Sequence, residues 1–231
     1  MARRGHKRRP MSIQVKICGI TSADAADAAM RAGADYAGLV FHSGSPRYLQ
    51  PEQASALAAR IRGRSRLAVL LADARDEDIA IAVVAVKPDF VQLHGRETPE
   101  RVAAVKQRFG VSVIKAISVA DAGDLAEVSA FEKVADMLLF DAKAPANASR
   151  PGGHGAAFDW QLLRGRTFSR PWLLAGGITA ENVGRAIRAA EAPGVDVSSG
   201  VEISPGIKSS DMIRDFVAAV RAAEFAKEPQ A

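Results

Sequence analysis

The chain alternates between short apolar runs and longer segments in which apolar residues recur every three or four positions. Several runs, such as Leu67–Leu71 and Met137–Phe140, are apolar throughout, which is typical of parallel strands buried on both faces by helices. The pattern therefore predicts a parallel sheet of eight strands. The predicted strands are Gln14–Ile17, Tyr36–Phe41, Arg66–Leu71, Phe90–Leu93, Ser112–Ile117, Met137–Phe140, Trp172–Ala175 and Val195–Val197.

The segments between the runs have the periodicity of amphipathic helices. Apolar residues at positions i, i+3, i+4 and i+7 form one stripe within 54–61 and another within 213–220. Helix starts are marked by Thr21, which has an acidic residue three positions later, and by Thr98, which a proline follows. Both threonines are predicted N-caps, because a side-chain oxygen there accepts from the first turn of the helix.

One connection differs from the others. Residues 144–155 are rich in proline, glycine, asparagine and serine, which predicts a long loop, and only a short helix near 158–163 follows it. Its glycine-rich part, which contains Gly153 and His154, would close over a bound ligand and exclude water.

Repeated strand–helix units build two α/β fold classes, an open doubly wound sheet and a closed (βα)₈ barrel. Eight units favour the barrel, and the first run is not followed by the G-x-G-x-x-G motif that is usual in the open class. The sequence therefore predicts a single-domain (βα)₈ TIM barrel over residues 13–224. We expect residues 1–12 to form a disordered basic tail and residues 225–231 a C-terminal tail.

The formal net charge of +5 lies entirely in the first ten residues, which hold five cations and no acids. The rest of the chain carries as many basic as acidic side chains, 26 of each. Such a tail can bind nucleic acid or a membrane surface, precede a second start at Met11, or be a solvated terminus. Without aromatic residues or a second basic patch, nucleic acid is the weaker interpretation.

The 231-residue chain has one cysteine, which excludes an internal disulfide and a cysteine-rich zinc site. It has no apolar stretch near 18 residues, and the tail is not followed by the apolar h-region of a signal peptide. We therefore expect neither a membrane span nor a secretory signal, and we expect the protein to be cytoplasmic.

Active sites of TIM barrels lie at the carboxyl ends of the strands, so polar residues just after each run are the candidates. Cys18 is a base or nucleophile if its thiol ionises, or else a small buried apolar residue. Arg47 would hold a carboxylate or phosphate, or pair with a surface acid. His94 is an acid–base group or a structural hydrogen-bonding residue. Asp141, if partly desolvated, is a general acid, or else it caps the next element.

Two glycine-rich loops predict a phosphorylated ligand. Gly176 and Gly177 follow the seventh run, and Ser199 and Gly200 follow the eighth. Backbone amides in loops of this kind approach an anion closely, and barrels often bind phosphate between these two loops. The sequence has no G-x-S-x-G, no H-E-x-x-H, no Walker loop and no cluster of metal ligands. We therefore expect an acid–base reaction of a sugar phosphate without metal or cofactor.

Five motifs follow one another along the chain, and they are Lys16–Thr21, Ser45–Tyr48, Val91–Gly95, Leu174–Gly177 and Val195–Glu202. In this order they resemble the phosphoribosylanthranilate isomerases of tryptophan biosynthesis, over about Val15 to Val220. The resemblance implies a (βα)₈ barrel that converts N-(5-phosphoribosyl)anthranilate to 1-(2-carboxyphenylamino)-1-deoxyribulose 5-phosphate by an Amadori rearrangement. It implies a small phosphoribosyl substrate as the partner and no cofactor.

The resemblance also implies roles for individual residues. Asp141 would be the general acid that protonates the furanose ring oxygen, and Cys18 the general base that removes the C2′ proton. Arg47 would hold the anthranilate carboxylate. His154 departs from the threonine or serine that is usual in its glycine-rich stretch. Amides around Gly176, Gly177, Ser199 and Gly200 would hold the phosphate, and Lys16, His94, Gly153 and Asp196 are further candidates for the site.

Two other functions remain as alternatives. The related isomerase of histidine biosynthesis performs the same rearrangement with two aspartates, so a cysteine at position 18 argues against it. A barrel that only binds a phosphosugar would not need Cys18, Asp141 and Arg47 together. The sequence leaves open whether the protein is a monomer or a homodimer.

Overall fold

The computed structural model describes residues 12–143 and 157–225. Within them the eight predicted strands form a closed parallel barrel in the order β1 to β8, which confirms the TIM-barrel prediction. The basic tail, Met11, Gly153 and His154 lie outside the described residues. The strands are β1 (Gln14–Cys18), β2 (Tyr36–Val40), β3 (Arg66–Leu71), β4 (Phe90–Leu93), β5 (Ser112–Val119), β6 (Met137–Ala142), β7 (Trp172–Leu174) and β8 (Gly194–Val197).

Helices follow the strands and cover the outside of the barrel. After β6 the described connection contains only a 3₁₀ helix, Trp160–Leu163, where a short helix was predicted. A small hairpin of β9 (Glu202–Ser204) and β10 (Ile207–Lys208) extends the loop after β8. The α-helices are α1 (Ala23–Ala32), α2 (Pro51–Ile61), α3 (Asp76–Val86), α4 (Pro99–Phe109), α5 (Val128–Glu132), α6 (Val183–Ala190) and α7 (Ser210–Phe225).

Among the described helices, none combines the length and apolar character needed to cross a bilayer. The last of them, α7, runs to Phe225, one residue beyond the boundary expected for the barrel.

Two candidate residues lie inside strands rather than after them. Cys18 pairs with Gly38 as the last residue of β1, and Asp141 pairs with Ser118 within β6. The prediction was wrong here because the apolar pattern stops where side chains begin to face the barrel mouth, whereas backbone pairing continues.

The cap of α1 also differs from the prediction. Ser22, not Thr21, is the N-cap, and its hydroxyl oxygen accepts from the amide of Ala25 at 3.2 Å. The Thr21 hydroxyl instead donates to the carbonyl of Gly206 at 2.7 Å and so ties β1 to the turn of the β9–β10 hairpin. At α4 the prediction is confirmed, because Thr98 caps the helix ahead of its first-turn proline.

The apolar core has two layers that follow the alternation of side chains along each strand. In β6, Leu138 and Phe140 pack outward against helices, whereas Met137 and Leu139 point into the barrel. The interior of the barrel below the mouth is therefore filled with side chains and is not a pore. The buried residues of this inner layer are Tyr36, Ala68, Ile114, Ala116, Met137, Leu139, Leu173 and Ala175.

Three aspartates join neighbouring strands at the amino end of the barrel. Each immediately precedes an even-numbered strand and accepts a hydrogen bond from a backbone amide at the start of the preceding strand. These bonds satisfy amides that would otherwise lack partners at the strand ends. The bonds are Asp35 from Val15 at 2.8 Å, Asp89 from Leu67 at 2.7 Å, and Asp136 from Val113 at 2.9 Å.

Candidate active site

A set of buried charged and polar side chains lies in the described part of the chain, mostly at the carboxyl end of the barrel. Charged residues are rarely fully buried unless they are paired, so such a concentration indicates a functional site. These residues form four groups, built around Cys18, Asp141, Lys115 and Arg47. The buried residues are Lys16, Arg47, Gln92, His94, Glu97, Lys115, Asp141, Asp196 and Lys208.

The first group surrounds Cys18, a buried free thiol. Lys16 lies two residues earlier on the same face of β1 and is fully buried. Its Nζ atom is 2.8 Å from Oδ1 of Asp196, which lies opposite it in the register of β8. The ion pair compensates the charge of Lys16 inside the barrel, where an isolated ammonium would be costly.

The electrostatic surroundings of Cys18 act in opposite directions. Burial raises the pKa of the Cys18 thiol, while the charges of Lys16 and Lys208 lower it and that of Asp196 raises it, with burial prevailing. Burial lowers the pKa of Lys16, but Asp196 and Cys18 outweigh that effect and raise it, so Lys16 stays charged beside the thiol. The two lysines are the groups that would stabilise a thiolate.

The second group surrounds Asp141 on β6. Its Oδ2 atom is 3.1 Å from Nε2 of His94, and its Oδ1 accepts from the amide of Ala142 at 2.9 Å. Nδ1 of His94 is in turn 3.0 Å from Nε2, the side-chain amide nitrogen, of Gln92. His94 and the backbone amide of Ala142 therefore hold the carboxyl group of Asp141, and Gln92 holds the ring of His94.

The third group is an ion pair at the base of the loop after β4. Nζ of Lys115 is 2.7 Å from Oε2 of Glu97, and it also donates to the carbonyl of Gly95 at 2.7 Å. The Glu97 carboxylate accepts in addition from the amides of Asp73 and Gly95. This bonding fixes the turn that directly follows His94.

The fourth group is built on Arg47. Its Nε and Nη2 atoms each lie 2.7 Å from one carboxylate oxygen of Glu202, a bidentate pair. Lys208 also donates to Glu202 at 2.7 Å, and to the carbonyl of Ser198 at 3.1 Å. Two cations thus share one carboxylate, which leaves a net positive charge in this group. Arg47 is paired with a buried acid, not with the surface acid that the alternative interpretation required.

Burial also shifts the pKa values of Glu202 and Lys208. It raises the pKa of Glu202, but Arg47 and Lys208 outweigh it and hold that pKa below its usual value. Burial lowers the pKa of Lys208, and Glu202 offsets only part of that effect.

The two glycine-rich loops predicted to bind phosphate are in contact. A Cβ atom on Gly200 would overlap the carbonyl oxygen of Ile178, so only glycine permits this approach. Gly176 has a φ of +85°, and a Cβ atom there would lie 2.6 Å from the amide nitrogen of Ala142, next to Asp141. Asn182 donates to the carbonyl of Gly177 at 2.8 Å and so holds that loop. Ser199 and Gly200 begin a short 3₁₀ helix.

Several functional candidates were not found from the sequence. Glu202 and Gln92 lay inside motifs but carried no assigned role, and Lys208 and the Glu97–Lys115 pair were not selected. A signal existed for Lys115, because it interrupts an otherwise apolar strand, as Lys16 does in β1. Lys208 offered no such signal, since only folding of the hairpin brings it next to Glu202.

In the described part of the chain, no three histidine, cysteine or acidic side chains are placed to hold a metal ion together. The groups present are an acid, a thiol and cations beside glycine loops, a set suited to proton transfer on an anionic substrate.

Comparison with known proteins agrees with this chemistry. Residues 15–219 match the family model described as N-(5′-phosphoribosyl)anthranilate (PRA) isomerase. The chain belongs to this family. Membership confirms the resemblance recognised in the motifs and makes the chain an isomerase of tryptophan biosynthesis.

Relatives of known name span almost the whole chain. The PRA isomerase of Nitrobacter winogradskyi is 50% identical over 214 residues, which cover 93% of this chain and 95% of that protein. The crystal structure of the Thermotoga maritima enzyme superposes with a TM-score of 0.81 at 34% identity, covering 91% and 99% of the two chains. A crystal structure of a PRA isomerase in complex with reduced 1-(o-carboxyphenylamino)-1-deoxyribulose 5-phosphate gives a TM-score of 0.78 at 32% identity, with the same coverage.

Proposed function

We propose that the buried groups at the barrel mouth carry out the PRA isomerase reaction with Asp141 as general acid and Cys18 as general base. The observation that supports this most directly is their placement. The fold brings the one cysteine of the chain and a buried aspartate, from β1 and β6, to the same end of the barrel. An acid and a base on separate strands can act on one sugar from two sides.

In the first step, Asp141 transfers a proton to the furanose ring oxygen. The bond between C1′ and that oxygen breaks, and the anthranilate nitrogen supplies the electron pair that forms a protonated Schiff base. The carboxyl group is held by the amide of Ala142 and by His94, which fix its orientation toward the mouth.

In the second step, the Cys18 thiolate removes the proton from C2′. The electron pair of that C–H bond moves toward the iminium nitrogen and gives an enolamine, which tautomerises to the product ketone. The iminium acidifies the neighbouring C–H bond, so a thiolate is a sufficient base. Lys16 and Lys208 supply the positive charge that favours this thiolate.

Binding would use the remaining groups. The net positive charge shared by Arg47, Glu202 and Lys208 suits the anthranilate carboxylate. Amides around Gly177, Ser199 and Gly200, together with Gly176, suit the phosphate because the two glycine-rich loops touch each other at Ile178 and Gly200. A related crystal structure holds a reduced carboxyphenylamino-deoxyribulose phosphate, a ligand with both anionic groups.

A free thiol as base persists in a reducing compartment, which supports the expectation of a cytoplasmic enzyme. The partner of this chain is then a small phosphoribosyl compound, which is its substrate.

The test is an assay with freshly prepared phosphoribosylanthranilate, followed by loss of its fluorescence. We expect Cys18→Ala and Asp141→Asn each to lower kcat by at least about 1,000-fold, because each removes a proton-transfer group. Circular dichroism and thermal unfolding of both variants serve as the control for folding. A wild-type rate in either variant would reject the role of that residue, and a barrel that binds but never turns over the substrate would support the binding-only alternative.

A further inference from the structure

The side chain of Gln92 is buried inside the barrel and is connected through His94 to Asp141, the proposed acid. It is fully buried on β4, and its amide nitrogen lies 3.0 Å from Nδ1 of His94. The other ring nitrogen of His94 lies 3.1 Å from Oδ2 of Asp141. The three side chains form a continuous line of hydrogen bonds from the barrel interior to the carboxyl group.

The donor and acceptor chemistry of this line fixes the position of one proton. An amide nitrogen only donates, so Nδ1 of His94 accepts and carries no proton when the ring is neutral. The ring proton therefore lies on Nε2, and His94 donates it to Asp141. Together with the amide of Ala142, this gives the carboxyl group two fixed donors, one on each oxygen.

The arrangement has a cost that packing does not explain. The amide oxygen of Gln92 is buried and finds no hydrogen-bond donor among the residues that the structure describes. An unpaired buried oxygen destabilises a fold, and an apolar side chain of similar size would avoid the penalty. The side-chain nitrogen of Gln92 keeps its hydrogen bond to His94, while the side-chain oxygen of Gln92 has none.

We propose that Gln92 is a positioning residue for the acid step, because it holds His94 in the Nε2–H tautomer and thereby orients the carboxyl group of Asp141 toward the substrate. Each carboxyl oxygen has a second lone pair, so the acidic proton can still point to the furanose oxygen. This inference rests on the proposed role of Asp141. It adds a residue that does not itself touch the reacting atoms.

The experiment uses two variants of Gln92 in the full-length protein. Gln92→Met removes the donor, and Gln92→Glu keeps the shape and, in its ionised form, offers only acceptors, which favours a proton on Nδ1 of His94. The ¹⁵N shifts of the His94 ring report which nitrogen is protonated, independently of activity. We expect the Nε2–H tautomer in the wild type, a proton on Nδ1 in Gln92→Glu, and a kcat about 10- to 100-fold lower in both variants with a smaller change in KM.

Gln14→Met is the matched control. Gln14 also has a side-chain amide on a barrel strand, where it accepts from the hydroxyl of Tyr36 at 2.9 Å, but it is only partly buried and lies at the amino end of β1. We expect this variant to lose stability while retaining kcat and the His94 spectrum. Should Gln92→Met fold poorly, the near-isosteric Gln92→Glu still decides the question.

Two results would overturn the proposal. One is a wild-type His94 that carries its proton on Nδ1. The other is a Gln92→Glu enzyme whose His94 has a proton on Nδ1 and whose kcat is that of the wild type. The role of Asp141 is tested separately, since an active Asp141→Asn variant would reject the acid step whatever the His94 spectrum shows.

Discussion

At the scale of single residues, the site depends on how buried charges are shared. Arg47 and Lys208 both bind Glu202, so the three side chains keep one excess positive charge inside the protein. Lys16, by contrast, is paired one to one with Asp196, and the two charges act on the neighbouring Cys18 thiol in opposite directions. The first arrangement suits a fixed anionic group of a ligand, and the second suits a residue whose charge changes during the reaction.

We expect Arg47→Ala to raise KM for phosphoribosylanthranilate by at least about tenfold with a smaller effect on kcat, because a charge-assisted contact to the carboxylate is lost. Steady-state kinetics of the purified variant measure this. The control is Arg164→Ala, which removes an exposed arginine that lies 3.5 Å from Glu191 on the surface. An unchanged KM in Arg47→Ala would contradict the carboxylate role.

At the scale of elements, polar side chains join one loop or strand to the next. The aspartates before β2, β4 and β6 bind the strands that precede them, and Glu97 joins the loops after β3 and β4 to Lys115 on β5. Burial raises the pKa of Glu97, but Lys115 and two backbone amides outweigh it and hold that pKa below its usual value.

The lowered pKa of Glu97 gives a pH-dependent contribution to stability. The carboxylate stabilises the fold above the pKa that glutamate has in the unfolded chain, and the contribution is lost as the pH falls through the lower folded value. We expect Glu97→Gln to reduce the free energy of unfolding by about 3 kcal/mol near neutral pH, since it leaves a buried lysine unpaired.

Denaturant unfolding of wild type and Glu97→Gln at several pH values provides the measurement. The difference between the two proteins should shrink in acid, as the wild-type carboxylate becomes protonated. Glu191→Gln, at an exposed ion pair, serves as the control and should change stability by less than about 1 kcal/mol at every pH. A Glu97→Gln effect that is independent of pH would contradict the ion-pair explanation.

Element prediction succeeded where the pattern reports burial and failed where it does not. All eight strands were predicted, because strands covered on both faces are apolar for most of their length. The ends at Cys18 and Asp141 were misplaced, since a polar side chain at the mouth still belongs to the ladder. Thr21 was mistaken for a cap because its true partner, the carbonyl of Gly206, is distant in sequence.

At the scale of the whole molecule, the net charge and the buried groups of the site lie in different parts of the chain. The first ten residues carry the whole net charge of +5, and the buried groups of the site come from β1, β4 to β6, β8 and the loops after β2, β4 and β8. The predicted functions of the tail and of the barrel are therefore separable.

We expect deletion of residues 1–10 to leave kcat and KM for phosphoribosylanthranilate within about twofold of the full-length values, because no described site residue belongs to that segment. The same pair of proteins can be compared for binding to DNA at increasing salt. Any binding by the full-length chain should weaken steeply with salt and disappear on deletion. Loss of activity in the truncated protein would contradict the separation.

The sequence by itself determined the fold class and the family, and it supplied the residues that we propose for the chemistry, because apolar periodicity and ordered motifs are local properties of the chain. Cys18, Asp141 and Arg47 were found in this way. The tertiary structure decided how they are held. The pairing of Arg47 with Glu202, of Lys16 with Asp196 and of Glu97 with Lys115, and the line from Gln92 to Asp141, join residues on different strands or loops. Only closure of the barrel brings such residues within hydrogen-bonding distance, which no local pattern records.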